Sequence, residues 1–251
     1  MKFKISNSDI DELIDAFREE GQEERVREIL HQLIIQTLRA TADKTEEQIT
    51  LEAERLTTAL LEQFPEIRRL LMSDVEAIKQ NDPAAESILE IISCYPATTV
   101  MLHYRLAHAL HLLGLPLLPR IITERAHSLT GIDIHPAASI GASFGIDHGT
   151  GIVIGATTII GNHVMIYQGV TLGAKNFLHD VSGAPVNEPR HPIIEDNVTI
   201  YSNTSILGRI RIGHDSVIGG NLWITHDVKP YSQVRQSKPV STIDFSDGAG
   251  I

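Results

Sequence analysis

Ile154-Gly155-Ala156-Thr157-Thr158-Ile159, then Ile160-Gly161-Asn162-His163-Val164-Met165, then Ile166: the chain repeats one six-residue phrase, an isoleucine followed by small or turn-tolerant residues. The beat runs back through Ile146, Ile140 and Ile134 and forward to Leu172. After a gap it resumes at Ile194, Ile200, Ile206, Ile212, Ile218 and Ile224. A period of six matches neither a helical stripe nor an alternating strand, whose side-chain periods are ~3.6 and ~2. It fits short strands joined by tight turns, each sending one branched aliphatic into a shared interior, as in a parallel β-helix. One phrase cannot bury its isoleucine alone, but coils stacked about 4.8 Å apart bury a continuous column. Three phrases per coil make a triangular prism.

Two slips break the rhythm. Ile146 to Ile154 is eight residues, read as a corner adjustment; Leu172 to Ile194 is 22, read as one coil plus four residues. The second implies a loop over Phe177–Pro185 that projects from the prism and walls a binding site.

The net charge of −11 argues against nucleic acid or an anionic membrane as the main partner. Most acidic residues lie in the first ninety positions, which leaves the repeat free to receive an anionic ligand. Cys94 is the only cysteine, so no intrachain disulfide forms, and a reducing cytosol suits the chain. Neither a signal-peptide run at Met1–Ser6 nor a membrane-spanning stretch is visible, and a soluble cytoplasmic protein is expected.

Ahead of the repeat the pattern is helical. Ser8 and Asp9 read as a cap for a helix carrying Leu13, Ile14 and Phe17, and Glu23–Thr41 carries a broad apolar stripe. Thr45 with Gln48 forms a capping box, and Pro65 opens the next helix. Asp82-Pro83 reads as a further start leading into Ile88, and Tyr95-Pro96 as the start of a helix that stops at Gly114. Leu115–Leu118 is expected beneath the prism, ahead of a last helix near Ile121–Leu129. The division is helical over 1–130, repeat over 131–230 and flexible tail over 231–251. The fold class is α+β, an α-helical domain followed by hexapeptide repeats in a parallel β-helix.

Ionisable residues interrupt the isoleucine ladder at Asp133-Ile134-His135, Asp147-His148 and Arg190-His191. Asp133 and His148 are 15 residues apart, close to one coil, a spacing that permits their contact without requiring it. A carboxylate on one imidazole nitrogen would leave the other free to take a proton; a solvated turn histidine is the plainer account. His163, His214 and His226 occupy turn-like positions, and no paired-histidine or cysteine motif marks a metal site among them. No nucleophile elbow, phosphate loop or dinucleotide fingerprint is present.

Several of these segments, in order, resemble serine O-acetyltransferase: Asp82-Pro83-Ala84, Tyr104-Arg105-Leu106-Ala107-His108, Asp133-Ile134-His135-Pro136-Ala137-Ala138, Ile146-Asp147-His148-Gly149-Thr150-Gly151, Val170-Thr171-Leu172-Gly173 and Arg190-His191-Pro192. The likeness covers roughly residues 80 to 230. It implies a left-handed β-helix assembled as a trimer, with trimers pairing through the helices in many members. It also implies His148 as general base with Asp133 as its carboxylate partner. Asp82 and Asp147 would hold the serine amino group, and Arg190 and His191 would sit at its carboxylate and hydroxyl. Acetyl-CoA is the implied co-substrate, with Thr171, Gly173, Ser202, Gly219 and Lys238 as its candidate contacts and no metal expected. The segment Val234–Pro239 departs from the family's usual CoA-contacting ending. The terminal Gly250-Ile251 resembles the tail with which many members bind O-acetylserine sulfhydrylase. The alternatives are another hexapeptide O-acetyltransferase, which the quartet Asp82, Asp147, Arg190 and His191 argues against, and a zinc-dependent β-helical hydratase.

Overall fold

The computed structural model describes residues 5–19, 21–176, 183, 186 and 188–237. Among them the helices are α1 (Asn7–Arg18), α2 (Glu23–Thr41), α3 (Glu46–Leu61), α4 (Phe64–Asn81), α5 (Ile88–Cys94), α6 (Pro96–Leu112) and α7 (Leu118–Thr130). Their starts follow local chemistry. Thr45 and Gln48 form the expected capping box, and Pro65 and Pro96 sit in first turns. At α1 the cap is Ser6, boxed with Asp9, rather than Ser8. Asp82 ends α4 instead of starting a helix; α5 begins only after its own cap, Ser87.

The strands wind in coils. The first is β1 (Asp133–Ile134), β2 (Ser139–Ile140) and β3 (Gly145–Asp147); the second is β4 (Val153–Ile154), β5 (Ile159–Ile160) and β6 (Met165–Tyr167). The third is β7 (Thr171–Gly173), β8 (Ile193–Ile194) and β9 (Thr199–Ile200), and the fourth β10 (Ser205–Leu207), β11 (Arg211–Ile212) and β12 (Val217–Ile218). The last comprises β13 (Trp223–Ile224), a bridge from Val228 to Ile212, and β14 (Gln233–Val234). Each coil contributes to three parallel sheets: a first face led by β1, a second by β2 and a third by β3.

The register stacks the predicted column. Ile134 pairs with Ile154, Ile154 with Leu172, Leu172 with Ile206, and Ile206 with Ile224. Every isoleucine of the beat, and Leu172, is buried, each side chain contributing about 1.5–3 kcal/mol relative to exposure. The eight-residue step is a corner widened by two, as expected. The 22-residue step is different: Ile194 pairs with Ile160 on the second face, one face beyond Leu172. A single face advances six residues, so the insertion is 22 − 6 = 16 residues, not four. Counting along the sequence cannot tell how many faces a gap has crossed.

The prism's first coil has no coil beneath it, and side chains of α4 and α6 satisfy its backbone. Tyr104 donates its hydroxyl to the Ala138 carbonyl at 2.6 Å, and Arg105 donates to the carbonyls of Ile140 and Gly141, both at 2.6 Å. Asp74 accepts from the Phe144 amide at 2.9 Å and from Arg105 at 2.9 and 3.1 Å. Asp74 and Arg105 are both buried, and the bonds to the Phe144 amide and to the Ile140 and Gly141 carbonyls offset part of the cost of burying the pair. The same contacts tie α4 to the coil that ends in Asp147. Leu115 and Leu118 lie not beneath the prism but in the separate helical core with Leu30, Leu60 and Ile122; Leu117 is exposed.

Candidate active site

The edge between the third and first faces carries the widened corner. Asp147 closes β3 and His148 follows with φ +57°, the left-handed turn backbone that recurs at other corners, as at His163 and Asn203. Gly149 continues the bend at φ +92°, where a Cβ would lie 2.5 Å from Ile132 Cδ1, so the chain passes tightly over the core. His148 is thereby thrown outward, its side chain 74% exposed, with Nε2 at 3.9 Å from Asp147 Oδ1.

Asp82 reaches this edge from the end of α4. Its Oδ1 accepts from the Ala84 amide at 2.8 Å and its Oδ2 from the Tyr95 hydroxyl at 2.7 Å. The Tyr95 bond, then the Ala84 amide and, more weakly, the nearby His148 hold its pKa below the ordinary carboxylate value. The Tyr95 phenol is pushed up to about 12 by the same bond. Tyr167, next to Asp147 in register, stacks on Tyr201 with centroids 4.9 Å apart, forming an aromatic wall along the edge. An acidic pair and an imidazole thus share one edge, suited to a substrate ammonium beside a hydroxyl that must lose a proton.

Arg190 and His191 sit at the next edge, between the first and second faces. His191 is buried, its ring lying on Gly155, where a Cβ would fall 2.0 Å from Cδ2. The Thr157 hydroxyl accepts from the amides of Arg190 at 2.9 Å and His191 at 3.1 Å. It also lies 2.8 Å from His191 Nδ1. Arg209 donates to the carbonyls of Thr157 at 2.7 Å and His191 at 3.0 Å. Burial, reinforced by the Arg190 charge, pushes the His191 pKa down to about 4, so the ring is neutral near pH 7. A cavity of about 270 Å³ adjoins this edge, lined in part by Lys175, Arg190 and Arg209.

Asp133 lies on the first face between the edges. Within one chain it does not touch His148: its Oδ1 is 3.6 Å from Arg120, which also pairs with Glu124 on α7. The spacing permits a contact without requiring it, and in the single chain the imidazole lies nearest Asp147 while the carboxylate faces Arg120. Of the candidate CoA contacts, Ser202 and Gly219 lie on the His148 edge higher up the prism. Thr171 points outward on the first face, and Gly173 lies toward the His191 edge. Lys238 and Ile251 fall outside the described residues. The prism therefore divides both predicted groups, amino-acid binders and CoA contacts, between two edges of one chain.

Among the described residues one grouping has metal-ligand geometry, Glu124, His127 and Asp133, and Arg120 contacts two of its three members. His163, His214 and His226 do not join one another; His163 is an exposed turn residue at φ +56°. The motifs gave no sign of Tyr95, Thr157, Arg209 or Arg120. In the sequence Thr157 is one more small turn residue, and the others lie in helices or turns far from the acids and carbonyls they meet. No helix among the described residues is long and apolar enough to cross a membrane.

No protein-family model matches the chain. It is 52% identical over 212 residues to the plasmid serine acetyltransferase of Synechococcus elongatus, covering 84% of this chain and 66% of that relative. It is 43% identical over 164 residues to the serine acetyltransferase of Mycobacterium tuberculosis, covering 65% of this chain and 68% of the relative. Among solved structures it resembles serine acetyltransferase isoform 3 of Entamoeba histolytica in complex with cysteine, at 36% identity and TM-score 0.78. That likeness covers 97% of this chain and 86% of the other. With helices preceding a left-handed parallel β-helix, and with these relatives, the chain belongs to the serine acetyltransferases, a family of acetyl-CoA-dependent acyltransferases.

Proposed function

We propose that this chain transfers the acetyl group of acetyl-CoA to the hydroxyl of L-serine, giving O-acetylserine for cysteine synthesis, in a pocket shared by adjacent chains of a trimer. The observation that carries the reading is the meeting of Asp82 with Asp147 and His148 on one prism edge, although Asp82 comes from the helical segment. The two carboxylates hold the serine ammonium. His148 removes the hydroxyl proton as the oxygen attacks the thioester carbonyl; the tetrahedral intermediate collapses and CoA leaves as thiolate. Asp133 serves as the partner of His148 in the ternary complex, once its carboxylate turns from Arg120 to the imidazole.

Arg190 and His191 complete the pocket from a neighbouring chain. A full face of the prism separates them from His148 within one chain, several residues at about 3.3 Å each, wider than a serine. A three-fold array sets one edge of each chain against a different edge of the next, a heterologous contact that closes a ring. Exposed Val153 and Trp223 on the first face and Ile159 on the second supply apolar surface for it. The same arrangement unites Ser202 and Gly219 with a partner's Thr171 and Gly173 along a CoA groove. Pairing of trimers through the helical segment, and docking of Gly250-Ile251 into O-acetylserine sulfhydrylase, extend the reading; loss of sulfhydrylase binding on deletion of Ile251 tests the latter.

The test is thiol release from acetyl-CoA across serine, homoserine and other hydroxylated acceptors. Serine is expected to be preferred. His148→Ala is expected to lower turnover roughly 10²–10⁴-fold with assembly intact. A folded His148→Ala protein with near-normal activity overturns the assignment.

A further inference from the structure

We infer that Thr157 is the positioning residue for acceptor recognition: it fixes the Arg190-His191 backbone and holds His191 as the Nε2–H tautomer. The inference rests on the reading of Arg190 and His191 as acceptor-binding residues and adds what makes them so. Thr157 Oγ1 accepts from two backbone amides, Arg190 N at 2.9 Å and His191 N at 3.1 Å. Both lone pairs of the hydroxyl are then occupied, so its proton points to its remaining neighbour, His191 Nδ1 at 2.8 Å. The Thr157 amide approaches the same nitrogen at 3.2 Å. A nitrogen that receives two donors carries no proton of its own, and the neutral ring is protonated at Nε2.

The consequence is a division of labour between the two histidines. His191 offers a hydrogen-bond donor at Nε2 and no basic nitrogen, since its only lone pair faces Thr157. It can steady a carboxylate or a developing oxyanion, while proton removal falls to the exposed His148. Gly155 and Arg209 support the arrangement from below and behind, the first by lacking a side chain where the ring lies and the second by gripping the carbonyls of both residues. The depressed pKa of His191 accords with a ring kept neutral, though the hydrogen-bond pattern alone determines the tautomer.

Two measurements test this on the full-length assembled protein. Long-range ¹H–¹⁵N correlation on histidine-labelled protein, with His191 assigned by a His191→Gln variant, reads the tautomer directly. Protonated Nε2 with bare Nδ1, persisting to about pH 5, is expected; protonated Nδ1, or titration near the free-imidazole pKa of ~6.5, overturns the inference. In steady-state assays Thr157→Val is expected to lower kcat/KM for serine roughly 10–100-fold, the loss seen when partners that orient metal-bound imidazoles are removed. Most of that loss should lie in KM, and Thr157→Ser should restore it. Thr157→Val within about twofold of wild type, or Thr157→Ser as impaired as Thr157→Val, refutes the role. If Thr157→Val does not fold, the wild-type tautomer and Thr157→Ser still decide. If the wild-type enzyme ignores serine, the function assignment fails while the tautomer result judges Thr157 separately.

Discussion

Mixing two dead enzymes should restore a live one. His148→Ala removes the base on one edge and His191→Ala removes the donor on another, and a full face of the prism lies between them in each chain. If a pocket pairs the His148 edge of one chain with the His191 edge of the next, an intact pocket needs an acceptor-side mutant followed by a base-side mutant. Random reassembly places those two in the required order at about one interface in four. Co-refolded or co-expressed mixtures at equal ratio should therefore recover about 25% of wild-type activity, against a roughly 10²–10⁴-fold deficit in the base-side parent and roughly 10²–10³-fold in the donor-side parent. The assay is thiol release after subunit exchange, with unmixed parents and a tandem double mutant, His148→Ala/His191→Ala, as controls. A mixture no more active than its parents, with exchange verified by mass-tagged subunits, would refute the shared pocket and require both histidines to act within one chain.

Three further outcomes follow from the geometry. Arg105→Met strips Asp74 of its counter-ion and leaves two first-coil carbonyls without donors, costing about 3–5 kcal/mol or more. Urea unfolding should show this, with only the share due to the unpaired carboxylate recovered in Arg105→Met/Asp74→Leu, which still leaves the two carbonyls and the Phe144 amide without partners; a cost under about 1 kcal/mol would dismiss the clamp. Tyr95→Phe removes one of two hydrogen bonds on Asp82 and should raise the serine KM several-fold with kcat nearly unchanged, an equal fall in both pointing instead to general disruption. The folded pKa of His191 is depressed to about 4, and burial also lowers those of His103, His108 and His135. Between about pH 6.5 and 4 the unfolded chain binds protons that the folded chain refuses, so the stabilisation present above pH 6.5 is lost as the pH falls through this window. Unfolding free energies flat across that window would contradict the burial of these rings.

The sequence by itself determined the architecture, because a β-helix is a local rule repeated. Each hexapeptide carries its own strand, turn and inward aliphatic, so a six-residue beat specifies the prism wherever it occurs. The two-residue slip between Ile146 and Ile154, legible in the sequence as a corner adjustment, is the widened corner that carries His148. Resemblance supplied the roles proposed for Asp82, Arg190 and His191, which spacing alone does not reach. What tertiary structure decided is everything that depends on which face a residue occupies. It set the insertion before Ile194 at sixteen residues, and it moved Leu115 and Leu118 into the helical core. It also turned Asp133 toward Arg120 and made an ordinary turn residue, Thr157, the hub of the His191 edge. Hydrogen-bond partners such as Tyr95 and Asp82, or Arg105 and Ile140, lie far apart in sequence or on different elements, and no one-dimensional period encodes the meeting of two surfaces.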